Sequence, residues 1–461
     1  MNGRWMPSVA EARTARAPVR IAHLGLGNFH RAHQAWYTQL ANELAPVADI
    51  DSGPASASGA ISATGVVSAS SAVSTSGAAS ASDAAGWGIA AFTGRSPRAA
   101  QTLTAQDDVY TLITRAANGD SAQIVQSISE AHDGAGAEWE RVLADPGVGI
   151  LTVTVTERGY ESAEQQVGAD GGGSAGTART SRGDTVGTRG ETAGERIVRG
   201  LLARARASAG PLALVSCDNL NGNGEALRRA VLREVRDDDL ADWIAQNVSF
   251  VSTMVDRITP RTQPGDLDTV RAASGVADRC PVVTEPFSEW VLCGEFPAGR
   301  PAWDRVGARF VDDIESWERR KLWLLNAGHT LLAAVGLPRG HETVAAAFAD
   351  PECRALLETQ WDEARGLLPF PSEETDAFLS ALRTRFANPR IAHRLTQIDD
   401  GSLQKLRQRQ AAILSARLDA GDEPGWASLA TVEEWGRSRG LDLAEALDTL
   451  QPGLAQRVNR G

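Results

Sequence analysis

The stretch Arg20-Ile-Ala-His-Leu-Gly25-Leu-Gly27-Asn-Phe-His30 joins a short apolar run to a glycine turn and then to a helix-forming segment. This order of strand, glycine turn and helix is the context that a dinucleotide-binding fingerprint requires. Glycine permits the tight turn and lets backbone N–H groups approach a pyrophosphate at the helix start. The third glycine of that fingerprint is replaced by His30, so an ordinary strand-to-helix turn is the alternative. The candidate cofactor-binding residues here are Gly25, Gly27, Asn28 and Phe29.

Strands alternate with helices through the first half of the chain. The apolar runs predict strands at 87–92, 149–155 and 212–216, a hairpin from 109–114 and 122–128, and helices at 98–105 and 195–207. The run at 149–155 is rich in β-branched residues, which is typical of a strand buried on both faces of a parallel sheet. The alternation predicts an α/β fold with an N-terminal Rossmann-type, doubly wound sheet.

The chain becomes mostly helical after about residue 256, with amphipathic stretches at 315–335, 342–364, 373–386 and 403–419. We therefore predict two domains: residues 1–250 form the dinucleotide-binding domain, and residues 251–461 form a mostly helical substrate and catalytic domain. The cleft between them is the expected site for a small substrate. Residues 46–86 and 165–194 are rich in Ala, Ser, Gly and Thr, and they predict flexible insertions without a catalytic role.

Composition excludes several classes of partner. A net charge of −12 argues against nucleic acid, and the absence of an apolar run of about 20 residues argues against a membrane span. The four cysteines form no CxxC pair, which favours reduced thiols in a cytoplasmic protein. The seven histidines show no HxH or HExxH spacing, so we expect a metal-independent mechanism. The expected partner is a small molecule, bound by a monomer or small homo-oligomer.

A second motif contains candidate catalytic residues: Glu318-Arg-Arg-Lys321-Leu-Trp-Leu-Leu-Asn326-Ala-Gly-His329. At about 100° per residue, its acid, lysine, amide and imidazole fall on one face of a regular α-helix. The interspersed leucines predict that the segment packs into a core. Burial disfavours the charged form of a lysine and lowers its pKa, which suits Lys321 to act as a general base. A surface lysine on an amphipathic helix is the alternative.

Two polar segments follow predicted strands. Asn219, in a run of Asn and Gly after strand 212–216, offers an amide donor to a developing oxyanion, although a capped turn explains the run equally well. Asp256 and Arg257 are read by themselves as a structural ion pair.

Seven segments in this order resemble the mannitol dehydrogenase family, the long-chain polyol-specific dehydrogenases and reductases. They are Gly25-Leu-Gly-Asn-Phe-His-Arg-Ala-His33, Thr154-Val-Thr-Glu-Arg-Gly-Tyr160, Ser216-Cys-Asp-Asn219, Thr253-Met-Val-Asp-Arg-Ile258, Glu285-Pro-Phe287, Lys321 to His329, and Arg385-Phe-Ala-Asn-Pro389 through Asp400-Gly-Ser-Leu-Gln-Lys405. The likeness covers nearly the whole chain except the two insertions.

The resemblance implies metal-independent hydride transfer with NAD. It implies that Lys321 is the catalytic lysine, that Asn219 and Asn326 hold the substrate oxygen, and that His329 orients the substrate. It further implies that Glu318 gates proton exit to solvent. The substrate-binding residues that it implies are Asp256, Arg257 and Lys405.

Two positions depart from the family pattern, and the second of them concerns the cofactor. Arg158 stands where the family often has lysine, and the strand at 87–92 is followed by Arg95 without an acid. An acid near this point usually binds the ribose 2′-hydroxyl of NAD, whereas arginine suits the 2′-phosphate of NADP. We favour NAD and keep NADP open, with Arg95 as a further candidate cofactor-binding residue.

The substrate is expected to be a mannitol-like polyol. Residues 383–409 are rich in basic side chains, which would also suit mannitol 1-phosphate or a hexuronate, as in fructuronate and tagaturonate reductases. A solvated helix face explains the same basic residues. The alternative of another class is a catalytically inactive nucleotide-binding scaffold.

Overall fold

The computed structural model describes residues 7–44, 86–94, 96–155 and 191–460. Arg95, Arg158 and nearly all of both predicted insertions lie outside these residues. The chain divides into two compact units. The first comprises Met1–Thr114, Ser121–Thr284 and Ser288–Ile314, and the second comprises Arg115–Asp120, Glu285–Phe287 and Glu315–Gly461.

Eleven strands form two sheets in the described part of the chain. They are β1 (Val19–Leu24), β2 (Gly88–Thr93), β3 (Tyr110–Ala116), β4 (Gly119–Val125), β5 (Ile128–Asp133), β6 (Ile150–Val153), β7 (Leu212–Ser216), β8 (Val248–Asp256), β9 (Val282–Thr284), β10 (Glu289–Cys293) and β11 (Arg309–Phe310). The larger sheet has the order β11-β10-β8-β7-β6-β1-β2-β5, and the smaller has the order β4-β3-β9.

The larger sheet is parallel from β5 to β8, and β10 runs antiparallel to β8 at the other end. The chain moves from β1 outward to β2 and β5, and then returns to β6 on the opposite side of β1. The strand order therefore reverses between β1 and β6, and ligands of doubly wound sheets bind at the carboxyl ends of strands at such a switch point. The predicted α/β, Rossmann-type fold is confirmed.

Alternate residues of the central strands enter two different core clusters. Ile21 and Ile150 belong to one cluster, whereas their neighbours Ala22 and Leu151 belong to the other. Because successive side chains of a strand point to opposite faces, both faces of the sheet are covered by packed side chains. This explains why the strands read as nearly continuous apolar runs.

Helices and short 3-10 segments connect the strands of the first unit. They are Val9–Ala12, Asn28–Ala32, Gln34–Glu43, Arg98–Thr104, Glu138–Leu143, Ala193–Ala207, Asn223–Glu234, Asp238–Asn247, Pro264–Ser274 and Trp303–Val306. The predicted helices at 98–105 and 195–207 are confirmed to within two residues. The helix Ala193–Ala207 begins with a capping box in which Thr192 and Glu195 satisfy each other's backbone N–H groups.

The predicted second strand of the hairpin, 122–128, was placed too late along the chain. The hairpin strand is Gly119–Val125, and Ile128–Asp133 is a separate strand of the larger sheet. The two strands are separated by only Gln126 and Ser127, so the apolar pattern showed no clear break.

The second unit is helical. Its helices are Glu315–Arg320, Ala327–Gly336, Val344–Ala349, Pro351–Arg365, Ser372–Phe386, Leu395–Asp399, Ser402–Gln408, Gln410–Asp419, Trp426–Arg437, Leu443–Leu450 and Leu454–Val458, with a π-helical segment at Lys321–Asn326. Leu324, Leu331, Trp361 and Phe386 lie in its principal core cluster. Among the described residues, each helix is too short or too polar to cross a lipid bilayer.

The predicted domain boundary after residue 250 falls within the sheet-bearing unit, because β8, β10 and β11 continue the larger sheet as far as Phe310. The stretch after residue 256 is thus less helical than its sequence predicted. Strands β9, β10 and β11 contain only two to five residues, too few to show a clear alternation of apolar and polar positions.

Candidate functional site

The turn at Gly25 follows the carboxyl end of β1. Its φ is +112°, and a Cβ atom there would lie 2.0 Å from the carbonyl oxygen of Thr154, which follows β6. The hydroxyl of Thr154 donates to the carbonyl of Gly25 at 2.9 Å, and the N–H groups of Gly25 and Leu26 both donate to the carbonyl of Phe92. Only glycine fits this position, which brings the ends of β1, β2 and β6 together at the switch point.

Gly27 differs from Gly25 because its Cα faces open space. A Cβ atom on Gly27 would meet only the carbonyl oxygen of Gly25, at 3.5 Å. Gly27 is the N-cap of the helix Asn28–Ala32 and has extended backbone angles. The backbone here can be approached closely by a ligand, so the turn fits the pyrophosphate of a dinucleotide.

The side chains of the next two residues have partners inside the first unit. The amide of Asn28 donates to the hydroxyl of Thr262 at 3.3 Å and accepts from Arg31 at 2.7 Å. The ring of Phe29 stacks on that of His33, with ring centres 5.0 Å apart. Any contribution of Asn28 and Phe29 to cofactor binding is therefore expected to come from their backbone. Arg95 lies outside the described residues, so its proposed role stays a prediction.

Two histidines support the turn from within. The rings of His23 and His30 are buried and stacked with centres 3.3 Å apart and an angle of 8° between their planes. The ring nitrogens of His23 lie 2.8 Å from the hydroxyl of Thr152 and 3.1 Å from that of Thr154. Burial lowers the pKa of His23 to about 3 and that of His30 well below its usual range, so both rings are neutral at pH 7. No signal in the sequence indicated the role of His23.

Asn219 lies in the loop after β7 and is exposed. The loop is held by its neighbours: the backbone N–H of Val155 donates to the carboxylate of Asp218 at 2.6 Å, and the amide of Asn223 donates to the carbonyl groups of Asp218 and Thr253. The backbone of the loop is thus fixed while the Asn219 side chain is accessible. This arrangement is compatible with the predicted contact of Asn219 with a substrate oxygen.

Asp256 and Arg257 lie at the end of β8, and both are buried. The guanidinium of Arg257 donates to the carbonyl of Ala32 and lies over the ring of Trp36, 4.1 Å from its centre. These contacts tie the end of β8 to the two helices that follow the glycine turn. They give Arg257 a structural role, and its predicted contact with substrate stays a prediction, as does that of Asp256.

Lys321 begins a six-residue π-helical segment that ends at Asn326, and it is only 9% exposed. The N–H of Ala327 donates to the carbonyl of Leu322, the five-residue spacing that defines a π-helix. The prediction of one regular α-helix through 315–335 was therefore wrong in this segment. The rotation per residue changes between Lys321 and Asn326, so the geometry of 100° per residue does not apply to their relative orientation.

Three side chains from elsewhere in the second unit bind carbonyl groups of this region. Trp361 donates to Leu324 at 2.9 Å, Arg409 to Asn326 at 3.0 Å, and Gln410 to Ala327 at 3.0 Å. The π-helical segment is thus clamped along its length. The segments of Trp361 and Gln410 carried no recognisable motif, and sequence reasoning missed both residues.

His329 is buried one turn beyond the π-helical segment. Its ring contacts the rings of Phe386 and His393, with centres 4.7 and 4.6 Å away. Burial lowers the pKa of His329 well below its usual range, and the neighbouring His393, Arg385 and Arg409 lower it further. Its Nε2 atom is buried without a hydrogen-bond partner among the described residues. A polar group of a bound ligand would supply that partner.

Glu318 and Lys405 complete the predicted set in the second unit. Glu318 lies on the helix Glu315–Arg320, three residues before Lys321, and is buried. The ammonium group of Lys405 donates to the carbonyl groups of Ile398 and Asp400 at 2.8 and 2.5 Å. Those bonds hold the ammonium group of Lys405 at the carboxyl end of the helix Leu395–Asp399. The predicted contact of Lys405 with substrate stays a prediction.

One group of metal-ligand types occurs elsewhere in the second unit, where ligand atoms of His341, Asp350 and Cys353 lie within 4.8 Å of one another. Asp350 accepts from the N–H groups of Glu352 and Cys353 as the N-cap of the helix Pro351–Arg365, and His341 lies 2.9 Å from its other oxygen. These bonds explain the group as a helix cap.

The structure therefore places the candidate residues in two sets, each within one unit. The glycine turn, Asn219, Asp256 and Arg257 lie in the first unit at carboxyl ends of strands. The residues Glu318, Lys321, Asn326 and His329 follow one another on a single helical segment of the second unit, with Lys405 on another helix.

Comparison with known proteins agrees with the two-part organisation. Residues 19–305 match the model of the mannitol dehydrogenase Rossmann domain, and residues 313–432 match that of the mannitol dehydrogenase C-terminal domain. The chain is 33% identical to a D-mannonate oxidoreductase of Escherichia coli strain K12, over 96% of this chain and 86% of that protein. It is 31% identical to a polyol:NADP oxidoreductase of Gluconobacter oxydans, over 84% of this chain and 73% of that protein.

The solved structure of Pseudomonas fluorescens mannitol 2-dehydrogenase, a ternary complex with NAD and D-mannitol, is similar throughout. Its TM-score is 0.70 at 26% identity, and the match covers 97% of this chain and 91% of that one. The resemblance found from the sequence motifs is confirmed.

Proposed function

Since this chain belongs to the mannitol dehydrogenase family of oxidoreductases, we propose that it interconverts a polyol and its ketose by hydride transfer with NAD(P). The substrate we favour is mannitol-like, either the free polyol or mannitol 1-phosphate. The observation that carries the proposal is the buried Lys321 at one end of a clamped π-helical segment with Asn326 at the other. Such a segment is rare in proteins and is often found at functional sites.

Lys321 acts as the general base. Oxidation of a secondary alcohol requires a group that accepts the hydroxyl proton, and a neutral amine on a rigid helix does so. The buried position of Lys321 keeps bulk water away from that amine. Glu318, one turn earlier, is the residue that passes the proton onward.

The charge that develops on the substrate oxygen requires donors that are already in place. Asn219 and Asn326 supply amide N–H groups for this oxygen, and His329 orients the substrate through its unpartnered Nε2. Asp256, Arg257 and Lys405 are assigned to the substrate side. These assignments are supported by motif position and by the burial or fixed backbone of the residues.

The cofactor is NAD, with NADP as the alternative, and when bound it supplies the two-electron acceptor for the reaction. The turn Gly25–Gly27 and the backbone of Asn28 and Phe29 would hold its pyrophosphate. The open approach to Gly27 supports this assignment. Arg95 is the residue that would favour NADP.

A second candidate function is reduction of a hexuronate, or oxidation of the corresponding aldonate. The relative named D-mannonate oxidoreductase, which matches 96% of this chain, favours it. The basic residues that surround His329 in the second unit favour it as well. Hydride transfer between a secondary alcohol and a ketone is the same reaction for the polyol and for the aldonate.

We further propose that the protein works in the cytoplasm as a monomer or small homo-oligomer, with no nucleic-acid or membrane partner. Its four cysteines are free thiols, which supports a reducing compartment.

The test combines a substrate panel with one variant. Purified protein is mixed with NAD or NADP and a panel of polyols and aldonates, or with the reduced cofactor and ketoses or ketouronates, and absorbance is followed at the NADH band. We expect turnover on at least one member, and a loss of about 10²–10⁴-fold in Lys321→Ala with NADH binding retained.

Retention of most activity in Lys321→Ala would remove Lys321 from the mechanism. NADH binding without turnover on any member of the panel would favour a catalytically inactive nucleotide-binding scaffold.

A further inference from the structure

Basic side chains of the second unit gather around the helical segment that carries Lys321. The charges of Arg385 and Arg409 reach His329, and those of Arg385 and Lys405 reach His393, where they add to burial in lowering the histidine pKa values. We call Arg385, Lys405 and Arg409 the basic cluster. His329 and His393 are therefore neutral, and neither of them adds to the positive charge of the basic cluster.

The three members of the basic cluster differ in how their charge is balanced. Arg385 forms two hydrogen bonds of 2.8 and 2.9 Å with the carboxylate of Glu285, and both side chains are buried. Lys405 donates to two backbone carbonyl groups, and the nearby carboxylates of Asp399 and Asp400 act on it electrostatically. The charges of Arg385 and Lys405 are therefore at least partly compensated within the protein.

Arg409 has no carboxylate partner among the described residues. Burial, with no compensating charge, lowers the pKa of its guanidinium to about 10. One terminal nitrogen donates to the carbonyl of Asn326 at 3.0 Å and to the hydroxyl of Thr330 at 2.6 Å. Its Nε atom is buried without a hydrogen-bond partner among the described residues. A half-buried cation whose Nε atom is fully buried is costly unless an anion pairs with it.

Arg409 also lies beside residues that are proposed to bind the substrate. It contacts the carbonyl of Asn326, the residue proposed to hold the substrate oxygen, and it contacts Thr330, which follows His329. Two further nitrogen atoms nearby, Nε2 of His329 and Nδ1 of His393, are buried and lack hydrogen-bond partners in the described part of the chain. Three unpartnered donors or acceptors around one uncompensated charge indicate a missing polar ligand.

We propose that Arg409 binds an anionic end of the substrate, a carboxylate or a phosphate, and so selects sugar acids or sugar phosphates over neutral polyols. This inference rests on the proposed function and narrows its substrate class: among the candidates proposed above, it favours mannitol 1-phosphate or an aldonate over free mannitol. A guanidinium forms paired N–H···O bonds that match the oxygens of either anion. A neutral hydroxymethyl group at the same place would leave the charge of Arg409 uncompensated.

The test compares D-fructose, D-fructuronate and D-fructose 6-phosphate, which differ only at the sixth carbon. The reduction of each with NADH is measured as kcat/KM in the wild-type protein and in Arg409→Gln, which removes the charge and keeps a polar side chain. We expect one of the two anions to be preferred over D-fructose by about 10²-fold or more in the wild type, and this preference to fall nearly to parity in the variant. The preferred anion distinguishes the carboxylate from the phosphate.

Arg407→Gln is the matched control. Arg407 lies two residues away, is exposed, and donates to the backbone carbonyl of Thr449 at 2.9 Å. Arg407→Gln removes the same charge as Arg409→Gln, and the preference for the anionic ketose over D-fructose should be unchanged. If Arg409→Gln fails to fold, Arg409→Lys keeps the charge but loses the paired geometry, and a fall in preference of about tenfold is expected.

A wild-type preference for D-fructose, or an anion preference that survives in Arg409→Gln, would overturn the inference and leave the proposed reaction intact. If the wild type reduces none of the three ketoses, the proposed reaction on this class fails, and calorimetric titration of the NADH-saturated protein with D-mannonate and D-fructose 6-phosphate decides the inference. Binding that is lost in Arg409→Gln supports it, and absence of binding overturns it.

Discussion

Replacing Gly25 by alanine would place a Cβ atom 2.0 Å from the carbonyl oxygen of Thr154 and 2.6 Å from its hydroxyl oxygen. The first distance is a full ångström inside the 3.0 Å limit below which Cβ atoms are essentially never found. A positive φ costs a non-glycine residue about 1–3 kcal/mol, and the overlap adds about 1–3 kcal/mol more through a forced backbone shift. We expect Gly25→Ala to lower the free energy of unfolding by about 4 kcal/mol.

Gly27→Ala is the matched comparison, because its Cβ would meet only the carbonyl oxygen of Gly25, at 3.5 Å. Its free energy of unfolding should stay within about 1 kcal/mol of the wild type. The added methyl group nevertheless occupies the open approach to the turn. We expect the Kd for NADH to rise about tenfold or more, because the pyrophosphate must approach this backbone closely.

The assays are urea unfolding followed by tryptophan fluorescence and titration of each protein with NADH. Equal stability of the two variants would refute the steric argument for Gly25. Wild-type NADH affinity in Gly27→Ala would show that the open side of the turn does not face the cofactor.

Three other predictions concern stability. Arg204→Met should lower the free energy of unfolding, measured in urea, by about 3–5 kcal/mol, because the buried guanidinium donates to five backbone carbonyl groups that would lose their partner. A decrease below about 1 kcal/mol would contradict this. Glu363→Gln should lower stability by about 1–3 kcal/mol, since its carboxylate caps the helix Trp426–Arg437, and an unchanged urea midpoint would contradict it. Acid should destabilise the protein: His23, His30 and His329 have folded pKa values below the unfolded value of about 6.5, so unfolding takes up protons below that pH. Each histidine then contributes a loss of up to about 1.4 kcal/mol per pH unit as the pH falls from 6.5 toward its folded pKa, and equal unfolding free energies at pH 7.5 and 5.5 would contradict this.

Much of the fold follows from local sequence signals. Strand Leu212–Ser216 was predicted to the residue, because an apolar run buried on both faces ends at polar Asp218 and Asn219. The helix Ser372–Phe386 was predicted to within one residue, because its apolar spacing extends over many turns. The predicted stretches 342–364 and 403–419 each contain two helices. Element ends were less certain where signals are short, as at the break between Gly119–Val125 and Ile128–Asp133.

The candidate site was predicted less completely, for two physical reasons. A π-helical segment depends on tertiary hydrogen bonds, here from Trp361, Arg409 and Gln410, and the apolar pattern of residues 321–326 is equally compatible with an α-helix. Charge compensation depends on which side chains meet in space. The pairing of Arg385 with Glu285, and the lack of a carboxylate partner for Arg409 within the described residues, could therefore not be inferred from the basic composition of residues 383–409.

Chemical rescue of Lys321→Ala tests the proposed role of Lys321 most directly. The variant should retain NADH affinity and lose about 10²–10⁴-fold in turnover, and added primary alkylamines should restore turnover in proportion to their basicity. Near-wild-type turnover without added amine, or a rate that no amine of any basicity changes, would contradict Lys321 as the base.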